Sequence, residues 1–233
     1  MAGPEGHQGG RRAGQEPGAS TARIYLVRHG RTALNAAGAL RGDIDVALDS
    51  VGRQQAANLG HLLAKCRPRG VVTSPLRRAV ETAGAIAHQA GVGTWTDERL
   101  ADRGYGRWAG TLAAEVVARW GSLDAAPGVE PATEVADRAL AALADITEAS
   151  IEAPTVVVSH DAVNRAALAA LDPSLGPPDD IPQDTGCLNV IERHKAADGS
   201  ATWRVLSVNE LPRDIPQHDQ PEPDKGPARE EAR

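Results

Sequence analysis

The sequence predicts an α/β fold: a three-layer αβα sandwich whose mostly parallel sheet has an antiparallel C-terminal edge. Short apolar runs such as Ile24–Val27 and Thr155–Val158 are typical of strands buried on both faces of a sheet. Segments with helical spacing separate these runs, and this alternation favours parallel strands covered by helices on both sides. Near the end of the chain, two strand-like runs flank Asp198-Gly199, a dipeptide typical of hairpin turns.

The elements alternate along the chain. Strands are predicted from short apolar or β-branched runs at Ile24–Val27, Gly70–Thr73, Thr155–Val158, Gly186–Glu192 and Thr202–Val208. The first long helix begins after Asp49, a residue type that favours the N-cap position, and runs to about Lys65. Apolar residues near helical spacing predict further helices at Leu76–Gln89, Glu115–Trp120, Ala132–Ser150 and Ala162–Leu171.

The length of 233 residues fits a single domain with a sizeable core. Residues 1–20 and 212–233 contain few apolar side chains and many Gly, Pro or charged residues. We expect both segments to be disordered tails. The folded domain is therefore predicted at 21–211, with an insert at about 111–153 that caps the site.

Composition and charge exclude several classes of protein. The net charge of −6 argues against a nucleic-acid partner, because phosphate backbones select basic surfaces. No stretch is long and apolar enough to cross a membrane. Cys66 and Cys187 fit neither a disulfide framework nor a zinc pattern, so we expect reduced thiols in a cytoplasmic protein. No residue cluster has metal-ligand spacing, so no metal and no cofactor is predicted. The oligomeric state stays open.

Polar side chains follow three of the predicted strands. Arg28-His29 follows the first, Ser74 and then Arg78 follow the second, and His160 follows the third. Because ligands bind beyond the carboxyl ends of parallel strands, these side chains are expected to converge. Arginine forks suit phosphoryl oxygens, so the pattern predicts that His29 attacks, or at least grips, a phosphoryl group. Gly30 is expected to turn the backbone sharply and approach the ligand closely.

Short motifs occur in a fixed order over residues 22–171. They are Arg28-His29-Gly30 with Thr32 and Asn35, the block from Gly42 to Ala56, Ser74-Pro75-Leu76-Arg77-Arg78-Ala79 with Thr82, the block from Leu100 to Gly110, and Val158-Ser159-His160. Together these motifs resemble the histidine phosphatase superfamily, the phosphoglycerate-mutase-like proteins. The resemblance implies the phosphoglycerate-mutase-like version of the predicted fold, and a small phosphorylated metabolite as the partner.

The resemblance also implies a role for each matched residue. His29 would be the nucleophile that takes the phosphoryl group, and Asp102 the proton donor to the leaving oxygen. A cationic His160, together with the arginines, would bind the phosphoryl oxygens. The remaining pocket residues would be Arg28, Arg78, Thr32 and Asn35.

The chain departs from the family pattern at two positions. Asp102 stands where the pattern usually has Glu, so the donor is either Asp102 or the nearby Glu98. Asp161 follows His160 where the pattern usually has Gly, and a carboxylate there would repel phosphate unless its side chain points away.

Three functions remain open at this point. The leading one is metal-independent hydrolysis of a small phosphomonoester through a phosphohistidine intermediate. The second is a phosphoglycerate-type mutase, which would need extra basic groups for a second phosphate. The insert offers only Arg119 and Arg138 among many acidic residues, which ranks the mutase lower. The third is a non-catalytic phospho-ligand-binding module of the same fold.

Overall fold

A computed structural model describes residues 20–149 and 153–212 of the chain. Its strands are β1 (Ser20–Arg28), β2 (Val71–Thr73), β3 (Thr94–Thr96), β4 (Thr155–Ser159), β5 (Leu188–Lys195) and β6 (Ala201–Glu210). Its helices are α1 (Ala33–Ala37), α2 (Ser50–Ala64), α3 (Arg77–Ala90), α4 (Ala113–Trp120), α5 (Ala132–Glu148) and α6 (Asp161–Leu171). Short 3-10 helices include Glu98–Leu100 and Gly106–Trp108.

The strands form one sheet in the order β3-β2-β4-β1-β5-β6. The strands β3, β2, β4 and β1 are parallel, whereas β5 runs antiparallel to β1, and β6 antiparallel to β5. This arrangement confirms the predicted α/β sandwich with its antiparallel C-terminal edge.

Each face of the sheet is covered by a pair of helices. On one face, Leu59 and Leu63 of α2 and Ile86 of α3 pack with the buried valines of the sheet. On the other face, Leu143 of α5 and Leu168 of α6 pack in a second buried cluster. The abundant Ala and Val side chains allow this close approach of helices to the sheet.

The predicted insert at 111–153 divides into two parts. α4 contributes Val116 to a small separate cluster with Leu40 and Tyr105. α5, in contrast, belongs to the main core through residues such as Leu143. Among the described residues of the insert, those ahead of α5 contribute to the small separate cluster and α5 contributes to the main core, and the domain bounds stay a prediction.

Several elements differ from the expectation. α1 and β3 were not predicted, because a five-residue helix has little periodicity and Thr94–Thr96 is an exposed edge strand. Ser20, assigned to the N-terminal tail, pairs with Lys195 in the sheet. Residues 1–19 and 213–233, which make up nearly all of the predicted tails, lie outside the described residues, as does the predicted helix end at Ser150.

Candidate active site

Backbone hydrogen bonds hold three strand ends at one rim of the sheet. The His29 N–H donates to the carbonyl of Ser159 at 3.0 Å, and the Ser74 N–H donates to the carbonyl of Val158 at 3.0 Å. His160 follows β4 directly. The rings of His29 and His160 are both buried, and their centroids lie 5.0 Å apart. The structure thus brings the two predicted histidines together.

A backbone carbonyl fixes the tautomer of His29. Nδ1 lies 2.7 Å from the carbonyl oxygen of Gly30, so Nδ1 carries the proton and donates it. Nε2 therefore keeps its lone pair, and it has no hydrogen-bond partner among the described residues. Burial, followed by the positive charges of Arg28 and Arg78, holds the pKa of His29 well below its usual value. A neutral imidazole with a free Nε2 is the form that can act as a nucleophile.

His160 is tied to β2 through a hydroxyl group. Its Nε2 lies 2.8 Å from Oγ of Ser74, and its Nδ1 lies 3.8 Å from Oδ2 of Asp102. Burial and the neighbouring His29 and Arg78 lower the pKa of His160 well below its usual value. Burial therefore favours the neutral ring, and the cationic His160 that the resemblance implies stays a prediction.

Carbonyl groups hold the guanidinium groups of the two predicted arginines. Arg78 donates to the carbonyls of Ile44 and Gly42 at 2.9 Å each, and Arg28 donates through Nη1 to the carbonyl of Gln183. The Nε atoms of both arginines are buried and have no partner among the described residues. Two fixed cations thus lie beside two neutral rings, an arrangement suited to an anion.

Asp102 is one of two carboxylates that the structure brings to this cluster. Its Oδ2 accepts from Nη2 of Arg78 at 2.9 Å, and its Oδ1 accepts from the Arg103 N–H at 2.9 Å. Burial raises the pKa of Asp102 above its usual value, against the lowering effect of Arg41 and Arg78. Glu98, the alternative acid, lies exposed on a 3-10 helix.

The loop that carries Asp102 is clamped by α5. Arg138 donates through Nη1 to the carbonyls of Arg99 and Ala101 at 2.7 Å each, and through Nη2 to that of Asp102 at 3.2 Å. Glu130 accepts from Nε of Arg138 at 2.8 Å. One guanidinium group therefore binds three carbonyls in the four-residue segment that ends at the acid.

Thr32 and Asn35 lie in a capping box at the start of α1. The Asn35 N–H donates to Oγ1 of Thr32 at 3.2 Å, and Oδ1 of Asn35 accepts from the Thr32 N–H at 3.0 Å. Both side chains therefore have a structural role. Their predicted part in lining the pocket stays a prediction.

Gly30 has a different role from the one expected. Its φ is not positive, and a Cβ there would lie 2.4 Å from the carbonyl oxygen of Gly52 in α2. The glycine therefore permits close packing of the loop against α2, not a sharp turn toward a ligand.

A buried cluster of amide side chains holds Arg28 in place. The sequence does not predict this cluster. The Gln183 side chain accepts from Asn164 at 3.1 Å and Asn189 at 3.0 Å, which fixes the segment whose carbonyl binds Arg28. Gln183 precedes β5 and belongs to none of the motifs, so no signal in the sequence identified it.

Two further charged residues complete the cluster. Arg41, which immediately precedes the Gly42 motif, donates through Nη2 to Asp161 at 2.6 Å. The Asp161 carboxylate also lies 3.3 Å from Nη2 of Arg28. The Asp161 side chain thus points toward the arginines, and they hold its pKa well below the usual value although burial alone would raise it.

Residues 20–149 and 153–212 contain neither a metal-binding cluster nor a helix that could span a membrane. In these ranges, no group of three or more His, Cys, Asp or Glu side chains could hold a metal ion. No helix in the same ranges has both the length and the apolarity needed to span a bilayer.

Comparison with known proteins places the chain in a family. It is 33% identical to glucosyl-3-phosphoglycerate phosphatase of Mycolicibacterium vanbaalenii over 169 residues, which cover 64% of this chain and 73% of the relative. The vanadate complex of a mycobacterial glucosyl-3-phosphoglycerate phosphatase matches with a TM-score of 0.71 and 26% identity, over 80% of this chain and 98% of the other.

A phosphoglycerate mutase from Bacillus anthracis shares the fold, with a TM-score of 0.71 at 21% identity over 83% of this chain and 95% of the mutase. The model of the histidine phosphatase superfamily, branch 1, matches residues 24–209. These likenesses support an enzyme of the phosphomonoesterase type. The chain belongs to the histidine phosphatase superfamily.

Proposed function

We propose that this protein is a metal-independent phosphatase that hydrolyses a small phosphorylated metabolite through a phosphohistidine intermediate on His29. The observation that carries the proposal is the state of His29. Its Nδ1 is bound to a backbone carbonyl, and its buried Nε2 is unprotonated and without a partner among the described residues.

Substrate binding follows from the charges around His29. A phosphate monoester carries nearly two negative charges near neutral pH. The guanidinium groups of Arg28 and Arg78 neutralise this charge and align the phosphorus atom with Nε2. Nδ1 of His160 lies free beside Asp102 and is placed to donate to a phosphoryl oxygen. The dianion would also raise the pKa of His160 and so favour its protonation.

Transfer begins when Nε2 of His29 bonds to phosphorus while the bond from phosphorus to the ester oxygen breaks. Because phosphoryl transfer has a loose transition state, alignment and charge stabilisation supply most of the rate. The leaving alkoxide takes a proton from Asp102, whose raised pKa favours the protonated form.

A water molecule then completes the cycle. The Asp102 carboxylate accepts a proton from this water as its oxygen bonds to phosphorus, and the nitrogen–phosphorus bond breaks. His29 returns to its neutral form, Asp102 is protonated again, and inorganic phosphate leaves. No step requires a metal ion, because the arginines carry the positive charge.

The substrate class is proposed from the pocket and the relatives. The named relatives are phosphatases of a glucosyl-phosphoglycerate, which is a small phosphorylated metabolite. We therefore place glucosyl-3-phosphoglycerate, 3-phosphoglycerate and sugar phosphates first in a substrate screen. A cytoplasmic location fits such substrates.

The test is phosphate release from p-nitrophenyl phosphate and the screened metabolites, with and without a chelator. His29→Ala should lower kcat by about 10³-fold or more, the scale expected when a nucleophile is removed. His61→Ala, at an exposed position in α2, is the matched control and should keep full activity. A denaturing quench at alkaline pH should trap a phosphoenzyme in the parent protein that is stable to base and is lost on acidification.

Three outcomes would contradict the proposal. They are undiminished hydrolysis by His29→Ala, a strict requirement for a divalent ion, and no hydrolysis of any substrate despite phosphate binding. The last outcome would favour the non-catalytic binding module.

A mutase is the second candidate, because a mutase shares the fold. Its reaction needs basic groups for a second phosphate, but Arg138 is bound to Glu130 and three carbonyls, while Arg119 stacks on Trp108 and Trp120. These contacts favour hydrolysis. Formation of 2-phosphoglycerate from 3-phosphoglycerate and a bisphosphate primer, at a rate rivalling hydrolysis, would reverse this order.

A further inference from the structure

One carboxylate spans two guanidinium groups at the edge of the pocket. Oδ1 of Asp161 lies 2.6 Å from Nη2 of Arg41, and Oδ2 lies 3.3 Å from Nη2 of Arg28. The proposed hydrolysis assigns Arg28 to the phosphoryl oxygens. Asp161 therefore binds the same guanidinium group that the substrate needs.

Arg41 also faces the reacting groups. It is only 7% exposed, and its Nε lies 3.9 Å from Oδ2 of Asp102 without a hydrogen-bond partner among the described residues. Nη1 donates to the carbonyl of Ala39 at 3.2 Å, which fixes the guanidinium plane. Its charge is near enough to His29 to lower the pKa of that ring. Arg41 thus belongs to the pocket, although its one strong partner is Asp161.

The charge balance shows what a substrate would encounter. When Asp102 carries the proton that the proposed hydrolysis needs and both histidines are neutral, three guanidinium groups and the Asp161 carboxylate give the pocket a net charge of +2. A phosphoryl group with nearly two negative charges is then a second anion at a site where Asp161 already binds Arg28 and Arg41. The two anions repel each other, and displacement of the Asp161 carboxylate would leave all three guanidinium groups to the phosphoryl group.

Only one of the two carboxylates has a route to water. The side chain of Asp102 is 0% exposed, whereas that of Asp161 is 20% exposed. Asp161 is the first residue of α6, so rotation about its side-chain bonds would carry the carboxylate out without disturbing the helix.

We propose that Asp161 is a displaceable internal anion: it competes with the phosphoryl group for Arg28 and Arg41, and Arg41 then binds phosphoryl oxygen as a third arginine. This inference rests on the proposed function for the identity of the incoming anion. It assigns Asp161 the effect of weakening phosphate binding, which raises KM and speeds release of inorganic phosphate.

The first experiment is calorimetric titration of inorganic phosphate into the full chain at low ionic strength. Asp161→Asn keeps the size of the side chain and removes its charge, so it should lower the Kd for phosphate by at least about fivefold, a change of about 1 kcal/mol. The matched control is Glu148→Gln, which removes one charge at an exposed ion pair with Lys195. It should leave the Kd unchanged.

The second experiment tests Arg41 by a double-mutant cycle. In the Asp161→Asn background, Arg41→Gln should weaken phosphate binding by about tenfold, since a charged hydrogen bond to the ligand is lost. If Arg41 only neutralised Asp161, this change would leave the Kd of that background unaltered. Melting temperatures without phosphate confirm that each variant is folded.

Two results would overturn the inference. One is weaker or unchanged phosphate binding in Asp161→Asn, which would mean that the carboxylate only positions the arginines. The other is an unaltered Kd when Arg41→Gln is added to that variant. Both measurements record binding, so they remain decisive even if hydrolysis through His29 fails its own test.

Discussion

Single hydrogen bonds decide what each ionisable side chain can do in this site. The Gly30 carbonyl leaves Nε2 of His29, the proposed nucleophile, without a proton, and Ser74 leaves Nδ1 of His160 facing Asp102. Asp102 is held between Arg78 and a backbone N–H, while burial raises its pKa. The surroundings thus shift the pKa of the proposed nucleophile, His29, downward and that of the proposed acid, Asp102, upward.

Asp102→Asn should show which carboxyl group is the proton donor. We expect kcat to fall by about 10² to 10³-fold for an alkyl phosphate, because its alkoxide needs a proton, a step of that size in general acid catalysis. The loss in kcat/KM, which reports only the steps up to release of the leaving group, should be much smaller for p-nitrophenyl phosphate than for the alkyl phosphate, because p-nitrophenolate needs no proton. The control, Glu98→Gln, should change neither rate. A selective loss with Glu98→Gln would assign the acid to Glu98 instead.

At the scale of elements, the acid loop depends on α5. Arg138 belongs to the main-core helix and holds the carbonyls of Arg99, Ala101 and Asp102. The loop is also bound to the sheet, since Oγ of Ser159 donates to the carbonyl of Leu100 at 2.9 Å. Arg138 of α5 therefore helps to position Asp102, the proposed proton donor, without contributing an atom to the proposed reaction.

Arg138→Gln tests this dependence. We expect kcat for alkyl phosphates to fall by about tenfold with little change in KM, since a small misplacement of a reacting group is costly. The value of kcat/KM should fall less for p-nitrophenyl phosphate than for alkyl phosphates, because p-nitrophenolate leaves without a proton. Arg119→Gln, in the same predicted insert, is the control and should keep both rates. Equal losses for both substrates would indicate a general structural defect and refute the positioning role.

Some elements of the site could be predicted from the sequence and others could not. The positions of Arg28, His29 and His160 follow from apolar strands that end in polar residues, because parallel strands share one carboxyl edge. The direction of the Asp161 side chain depends on Arg41, which is 120 residues away in the chain. Gln183 binds Arg28 through its backbone carbonyl. Because every residue type has this carbonyl, the sequence does not identify the contact.

At the scale of the whole molecule, the two buried histidines of the site make the free energy of unfolding depend on pH. His29 and His160 are buried with pKa values well below 6.5, so the folded protein keeps both neutral. The unfolded chain takes up these protons as the pH falls below about 6.5. Their contribution to stability is therefore present above that pH and is lost as the pH falls through the folded-state values.

Denaturant unfolding at a series of pH values measures this effect. Below pH 6.5, each buried histidine should add up to about 1.4 kcal/mol per pH unit to the slope of the free energy of unfolding. His160→Gln should reduce this slope by the share of one histidine, which is up to about 1.4 kcal/mol per pH unit. His61→Gln, at an exposed position, should leave the slope unaltered. An unchanged slope in His160→Gln would show that this ring is not held neutral by the fold.

The amide cluster beside Arg28 has a consequence for how the protein can be shortened. Gln183 and Asn189 lie far beyond the last signature motif, yet they determine where the guanidinium group of Arg28 is aimed. A truncated gene product that stops ahead of Gln183 would keep every signature motif and still lack an anchored arginine. Genome surveys that score such fragments by their motifs alone would count inactive proteins as enzymes.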